Sequence, residues 1–201
     1  MRIQSSKKSK DVMFFKRKGL IRVGRVPKEF NFLNEISDQE WTQNEQRQKT
    51  FSQHKDTESI ILRFKPPWVL DLERRDLYKG ESYRLQSYQP IQKYIKHISH
   101  YLDFFSKIYD ISDYGCMIVK LKPGGRIPPH VDCGNYFTNC SRIHVPIKSS
   151  REVDFHLGDS KINMKVGKYY QINNTNFEHS VFNRGSSDRI HIIFDLFELS
   201  K

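Results

Sequence analysis

Cysteine is scarce in this chain, and the three present, Cys116, Cys133 and Cys140, are odd in number and fit no zinc spacing. That excludes a disulfide framework or a structural zinc module and leaves free thiols in a reducing compartment. Long apolar runs are missing too. No stretch approaches the ~20 residues a membrane helix needs, and Met1 to Lys10 lacks the apolar core of a secretory signal. The expectation is a soluble, cytoplasmic protein with no membrane partner. No internal repeat or low-complexity tract is visible. Acidic residues are in deficit, 23 against 34 Lys and Arg, for a net charge of +11.

That charge suggests nucleic acid until it is mapped. Residues 1–28 hold ten Lys or Arg against the single acid Asp11, a net of +9, which leaves +2 for the other 173 residues. The composition describes a basic arm on a near-neutral domain. A solvated tail is the plainer reading of the arm, so nucleic acid is disfavoured as a partner, with residues 1–28 the segment able to touch it. At 201 residues, 13% of them aromatic, the chain has the length and the material for one packed domain.

Three stretches follow from the pattern: the arm, 1–28, with a short extended piece at Leu20-Ile21-Arg22-Val23; a mixed α/β lead-in, 29–112; and a β-rich core, 113–201. In the lead-in, a short helix is predicted around Asp38 to Gln48, capped by Ser37 or Asp38. Ser59 to Phe64 reads as a strand stopped by Pro66-Pro67. Apolar residues at Ile91, Tyr94, Ile95, Ile98, Leu102 and Phe105 have the three-and-four spacing of a helix within 88–109, packed on the outside of a sheet. From Gly115 onward eight short strands are expected, with no helix among them. They are Cys116–Leu121, Ile127–Val131, Arg142–Ile147, Val153–His156, Lys161–Lys165, Lys168–Ile172, His179–Phe182 and Arg189–Phe197. Short strands split by Gly, Pro and Asn turns predict a mainly β fold with flanking helices, a double-stranded β-helix or cupin-like jelly roll.

The chemistry concentrates in Pro128-Pro129-His130-Val131-Asp132, in His179 forty-nine residues after His130, and in Arg189 ten beyond that. Two neutral imidazoles and one carboxylate occupy one face of an octahedral Fe(II) and leave three positions open, two for a 2-oxo acid and one for dioxygen. Strand alternation puts Arg142 and His144 on one face, opposite Ile143, Val145 and Ile147, and puts Arg189 and His191 together on another strand. Inward arginines beside a metal make a pocket for a dicarboxylate, which the guanidinium fork binds bidentately. His54, His97, His100 and His156 are read as structural or surface histidines. Zinc is the rival metal, disfavoured because no second acid is placed as a general base. A cupin-like binder without turnover is another alternative. The loop 133–141, with Asn135 and Tyr136, is placed to close over substrate; the plainer reading is a surface loop with a hydrogen-bonded Tyr.

The runs Leu121-Lys-Pro-Gly-Gly-Arg-Ile-Pro-Pro-His-Val-Asp132, Arg142-Ile-His-Val-Pro-Ile147, Gly167-x-Tyr-Tyr-x-Ile-Asn-Asn174, His179-Ser-Val-x-Asn183 and Asp188-Arg-Ile-His-x-Ile-x-Asp195 resemble the aspartyl/asparaginyl β-hydroxylase family. Bacterial cis-proline hydroxylase-type members look closest. The likeness covers about residues 113–197, and extends more weakly to 47–51 and 57–64. It implies a dioxygenase that uses Fe(II), 2-oxoglutarate and O2 to hydroxylate a C–H bond of an amino acid or a peptidyl Asp-, Asn- or Pro-like residue, releasing succinate and CO2. It also implies His130, Asp132 and His179 as iron ligands, Arg189 on the distal carboxylate of 2-oxoglutarate, and Arg142 and His144 against the same cosubstrate. Animal peptidyl members have a glycine where this chain has Asp132, so the full triad sides with the bacterial hydroxylases and against halogenation. Nucleic-acid dealkylases of the wider class carry a second Arg six residues after the first; here that position is Asp195. Substrate and oligomeric state are left open by these motifs.

Overall fold

The computed structural model describes residues 13–14, 21–27, 32–41, 52–64 and 85–198. Among them twelve strands form two antiparallel sheets. The larger sheet takes β1 (Met13–Phe14), β2 (Ile21–Arg25), β3 (Thr57–Phe64), β4 (Gln86–Ser87), β5 (Ile111–Leu121), β7 (Ser141–Lys148), β10 (Lys168–Ile172) and β12 (Arg189–Glu198), in the order β1-β2-β10-β7-β12-β5-β3-β4. The smaller takes β6 (Arg126–His130), β8 (Val153–Leu157), β9 (Ser160–Ile162) and β11 (His179–Asn183), in the order β6-β11-β8-β9. Val23, Leu121, Tyr170 and Ile172 of the larger sheet pack against Ile127, Val153, Phe155, Leu157 and Val181 of the smaller. This is the expected double-stranded β-helix, with alternating side chains meeting between its layers.

The other face of the larger sheet is covered by a helix, labelled α2 below. Three helical segments occur in the described residues besides 3-10 turns: α1 (Asp38–Trp41), α2 (Ile91–Phe105) and α3 (Asn135–Thr138). The buried stripe of α2 is Ile91, Tyr94, Ile98, Tyr101 and Phe105, while Ile95 is 43% exposed. Tyr101 continues the 94/98 row because its ring and that of Phe105 lie 5.5 and 5.6 Å from Phe194 of β12. Ile143, Val145, Ile190, Ile192 and Leu196 complete this layer. Glu40 ties α1 to α2, accepting from Lys93 Nζ and Tyr94 Oη at 2.6 Å each, and its carboxylate also takes the Ser37 amide at 2.9 Å. Phe194→Ala should cost about 3–5 kcal/mol, seen as a lower urea midpoint with unchanged slope.

Several expectations are revised. β9 ends at Ile162 rather than Lys165, because the Asn163 amide turns away to donate to the Ser150 and Val153 carbonyls at 2.8 and 2.9 Å. A one-turn helix, α3, stands where none was expected; it follows Gly134, whose φ of 96° and carbonyl, accepting from Phe137 and Thr138, start the turn. The short extended piece expected within the arm stands as Ile21–Arg25, a strand paired along its length with Lys168–Ile172. Most of the remaining arm, residues 42–48 of the predicted first helix and the Pro66-Pro67 stop lie outside the described residues. No helix among the described residues is long and apolar enough to cross a membrane.

Candidate metal centre

β6 lies at the edge of its sheet, which is where Pro128 and Pro129 are tolerated, since neither can donate to a ladder. Its last residue, His130, is in register with His179, the first residue of β11. Directly paired cross-strand residues project to the same side, and the two rings lie 4.2 Å apart. His130 Nδ1 sits 2.8 Å from the Pro128 carbonyl, which can only accept. In the neutral ring the proton is therefore on Nδ1, which leaves the Nε2 lone pair for a metal. Nε2 faces Asp132 Oδ1 at 3.7 Å. Ligand atoms from His130, Asp132 and His179 all lie within 4.8 Å of one another, close enough for a single ion.

The charge states suit a cation. Burial pushes the His179 imidazole down to about 4, aided by His130 and Arg142 and opposed by Asp132, so it is neutral at pH 7. Burial pushes the Asp132 carboxyl up, but Arg142, His179, the Asn174 amide and His130 together hold it below the usual carboxylate range. A neutral imidazole and an anionic carboxylate are the ligating forms. Asn174, just past β10, was given no role from the sequence. It is buried, donates from Nδ2 to Asp132 Oδ2 at 2.5 Å, and accepts the Asp132 amide at 3.0 Å.

Arg142 and Asp195 are opposite one another across β7 and β12. The guanidinium donates from Nε to Asp195 Oδ1 at 2.7 Å and from Nη2 to Oδ2 at 2.9 Å, while Nη1 donates to Asp132 Oδ2 at 2.5 Å. The Phe137 ring lies 4.6 Å from its Cζ. Arg142, expected against the cosubstrate, has each of its three guanidinium nitrogens hydrogen-bonded to one of two carboxylates. Tyr136, expected to face substrate, is 4% exposed and donates to Asp195 Oδ2 at 2.9 Å. The phenol reaches inward to a buried acid, so the Tyr is hydrogen-bonded but does not lie on a surface loop. Gly115 is required for this: a Cβ there would run into the Tyr136 hydroxyl. Asn135 is exposed at the start of α3, its carbonyl accepting from Asn139 Nδ2 at 2.7 Å. His54, read as structural or surface, presents its ring edge-on to His130 at 5.8 Å.

Arg189 stands apart from these pairs. It is 2% exposed and meets no acid among the described residues. Burial alone pushes its guanidinium down from the ordinary arginine value. Nη2 lies 2.9 Å from His191 Nδ1, which must accept, since a guanidinium only donates; the His191 proton is then on Nε2. Arg189 Nε, His191 Nε2 and His144 Nδ1 are all buried without a partner. Burial, with Arg189 adjacent, pushes both imidazoles far down, so this cluster of three side chains holds one net positive charge. It adjoins the metal ligands through a run of rings: His191 and His144 at 5.7 Å, His144 and Phe155 at 5.8 Å, Phe155 and His179 at 6.2 Å. Buried donors left open beside a lone cation fit an anion, and a carboxylate matches both the charge and the donors.

The family profile described as aspartyl/asparaginyl beta-hydroxylase matches residues 28–198. No curated protein matches the chain by sequence. Among solved structures, an oxidoreductase of the 2OG-Fe(II) oxygenase family from Burkholderia pseudomallei is similar in fold, with 12% identity, a TM-score of 0.51, and 72% of this chain and 69% of that one covered. A Pseudomonas putida prolyl-4-hydroxylase has 10% identity, a TM-score of 0.48 and coverage of 90% and 93%. The match to AerE from Microcystis aeruginosa, at 15% identity and a TM-score of 0.34, takes in 42% of this chain and 36% of that one.

Proposed function

The chain belongs to the aspartyl/asparaginyl β-hydroxylase family of oxygenases, and from that premise we propose that it hydroxylates a C–H bond of an amino acid or a peptidyl residue, with Fe(II) and 2-oxoglutarate. His130, Asp132 and His179 would hold the iron. Arg189 would pair with the distal carboxylate of 2-oxoglutarate. The observation that carries this reading is Arg189 itself, a buried cation with no acid among the described residues. Such a group is retained at a cost that a bound dicarboxylate removes.

When bound, the iron and its cosubstrate activate dioxygen and yield succinate and CO2 alongside the hydroxylated product. The rest falls to the chain. His130 keeps its proton on Nδ1 through the Pro128 carbonyl, so its ring cannot turn away. Arg189 and the His191 Nε2 proton orient one end of the dicarboxylate. Phe155, at the middle of the ring run, is buried between the Arg189 cluster and the metal ligands. Residues 113–201 form the catalytic core in this reading. A nucleic-acid substrate is disfavoured by Asp195, whose carboxylate is spent on Arg142 and Tyr136.

Anaerobic titration of the apo-protein with Fe(II) and 2-oxoglutarate tests the reading without knowledge of the substrate. A visible metal-to-ligand charge-transfer band is expected for the wild type and none for His130→Ala. A well-folded wild type with no band would refute it.

A further inference from the structure

We infer that Arg142 is a positioning residue of the metal centre, and that with Asn174 it clamps Oδ2 of Asp132 so that the carboxylate meets the metal through Oδ1 alone. The inference rests on the proposed metal site and concerns how that site keeps its open positions. A carboxylate offers two oxygens and ligates through one or both. Chelation by Asp132 would consume a fourth position of six, leaving two for a chelating 2-oxo acid and none for dioxygen. In this chain Oδ2 already accepts from Arg142 Nη1 and Asn174 Nδ2, each at 2.5 Å. Oδ1 is the oxygen turned toward His130 Nε2.

The clamp is itself held. Asp195 grips Arg142 through two parallel hydrogen bonds from the strand alongside, an arrangement that fixes the guanidinium plane. Tyr136 donates to the same carboxylate, and Gly115 leaves the space for its hydroxyl. On the other side, the Asn174 carbonyl takes the Asp132 amide, so the residue is tied at both backbone and side chain. Removal of an outer partner of a metal ligand typically lowers metal affinity about 10–100-fold. A cosubstrate-binding Arg would leave metal affinity alone and weaken 2-oxoglutarate instead, and that difference is measurable.

The test is anaerobic Fe(II) titration of the full chain without cosubstrate, then 2-oxoglutarate titration at saturating iron, for wild type, Arg142→Gln and Asn174→Ala. X-ray absorption on the iron-loaded proteins reads the carboxylate mode. Both variants should bind Fe(II) about 10–100-fold more weakly, keep 2-oxoglutarate affinity within roughly threefold, and shift Asp132 from one-oxygen to two-oxygen ligation. Arg142→Gln leaves Asp195 short of its partner and is prone to misfold; Asn174→Ala opens the same clamp from the other side with the Arg142–Asp195 pair intact. Wild-type metal affinity and single-oxygen ligation in a folded Asn174→Ala would overturn the clamp. So would Arg142→Gln with wild-type iron affinity and a tenfold or greater loss of 2-oxoglutarate binding. A wild type that takes up no iron would instead remove the underlying metal-site reading, and the clamp with it.

Discussion

Asp132→Ala protein will fold, lose turnover, and lose Fe(II) affinity beyond the roughly 10–100-fold that an outer-sphere change costs. Folding survives because the buried Arg142–Asp195 pair does not depend on Asp132: Arg142 keeps both hydrogen bonds to Asp195. What the variant leaves behind is Arg142 Nη1 and Asn174 Nδ2 without their acceptor. An unsatisfied buried donor costs about 1–3 kcal/mol, so a modest fall in the melting midpoint is expected. Metal binding has no such reserve. The two imidazoles would remain beside one another across β6 and β11, but the one negative charge of the ligand set is gone while Arg142 stays close by. Isothermal titration with Fe(II) under argon reads the affinity, and circular dichroism guards against misfolding. A folded Asp132→Ala that binds Fe(II) like the wild type would dismiss Asp132 as a ligand. Wild-type turnover would do so too.

The parts of this site that the sequence exposes are those governed by local spacing. His130 and Asp132 are two residues apart, and Arg142 with His144 and Arg189 with His191 follow strand alternation, so each pair can be placed on a common face without knowing the fold. The eight core strands are legible for the same reason, their apolar rows being broken by turn residues. The parts that stay hidden are set by pairing between distant segments. Asp195 acquires its role because β7 and β12 bring it opposite Arg142, fifty-three residues away. Asn174 reaches Asp132 across forty-two residues. Tyr136 illustrates the ambiguity well: an aromatic in a loop beside a metal ligand reads as substrate-facing or as a hydrogen-bonded surface residue, and the position of Asp195 draws it into the interior instead. On α2, spacing alone admits Ile95 or Tyr101 to the buried face, and the rings of Phe105 and Phe194 select Tyr101. Register and cross-sheet contact are not encoded in a window of ten residues.

Arg189→Met is expected to separate two quantities that usually fall together, stability and ligand binding. In the free protein Arg189 is a fully buried guanidinium whose Nε has no partner and whose nearest hydrogen-bonding group is the neutral His191. An ion taken out of water costs several kcal/mol unless a counter-charge recovers it, and no acid among the described residues does so. Replacement by an apolar side chain of similar length removes that cost. The apo variant should therefore melt no lower than wild type. Cosubstrate binding should move in the opposite direction. Truncating one partner of a buried charge pair typically costs about 2–5 kcal/mol, which is roughly 30- to 4,000-fold in 2-oxoglutarate affinity. The contrast sharpens under ligand. At a hundred times its dissociation constant a ligand stabilises the folded state by about 2.7 kcal/mol, roughly 5–10 °C for a domain of this size. With Fe(II) present and oxygen excluded, 2-oxoglutarate should raise the wild-type midpoint by that amount and leave Arg189→Met unmoved. Arg189→Lys supplies the control for shape: it keeps a cation but loses the fork, so it should show a reduced shift rather than none. If Arg189→Met retains the full shift, the cosubstrate carboxylate is held elsewhere. If the apo variant unfolds, Arg189 is a structural cation, and the pocket of open donors around it loses its claim on an anion.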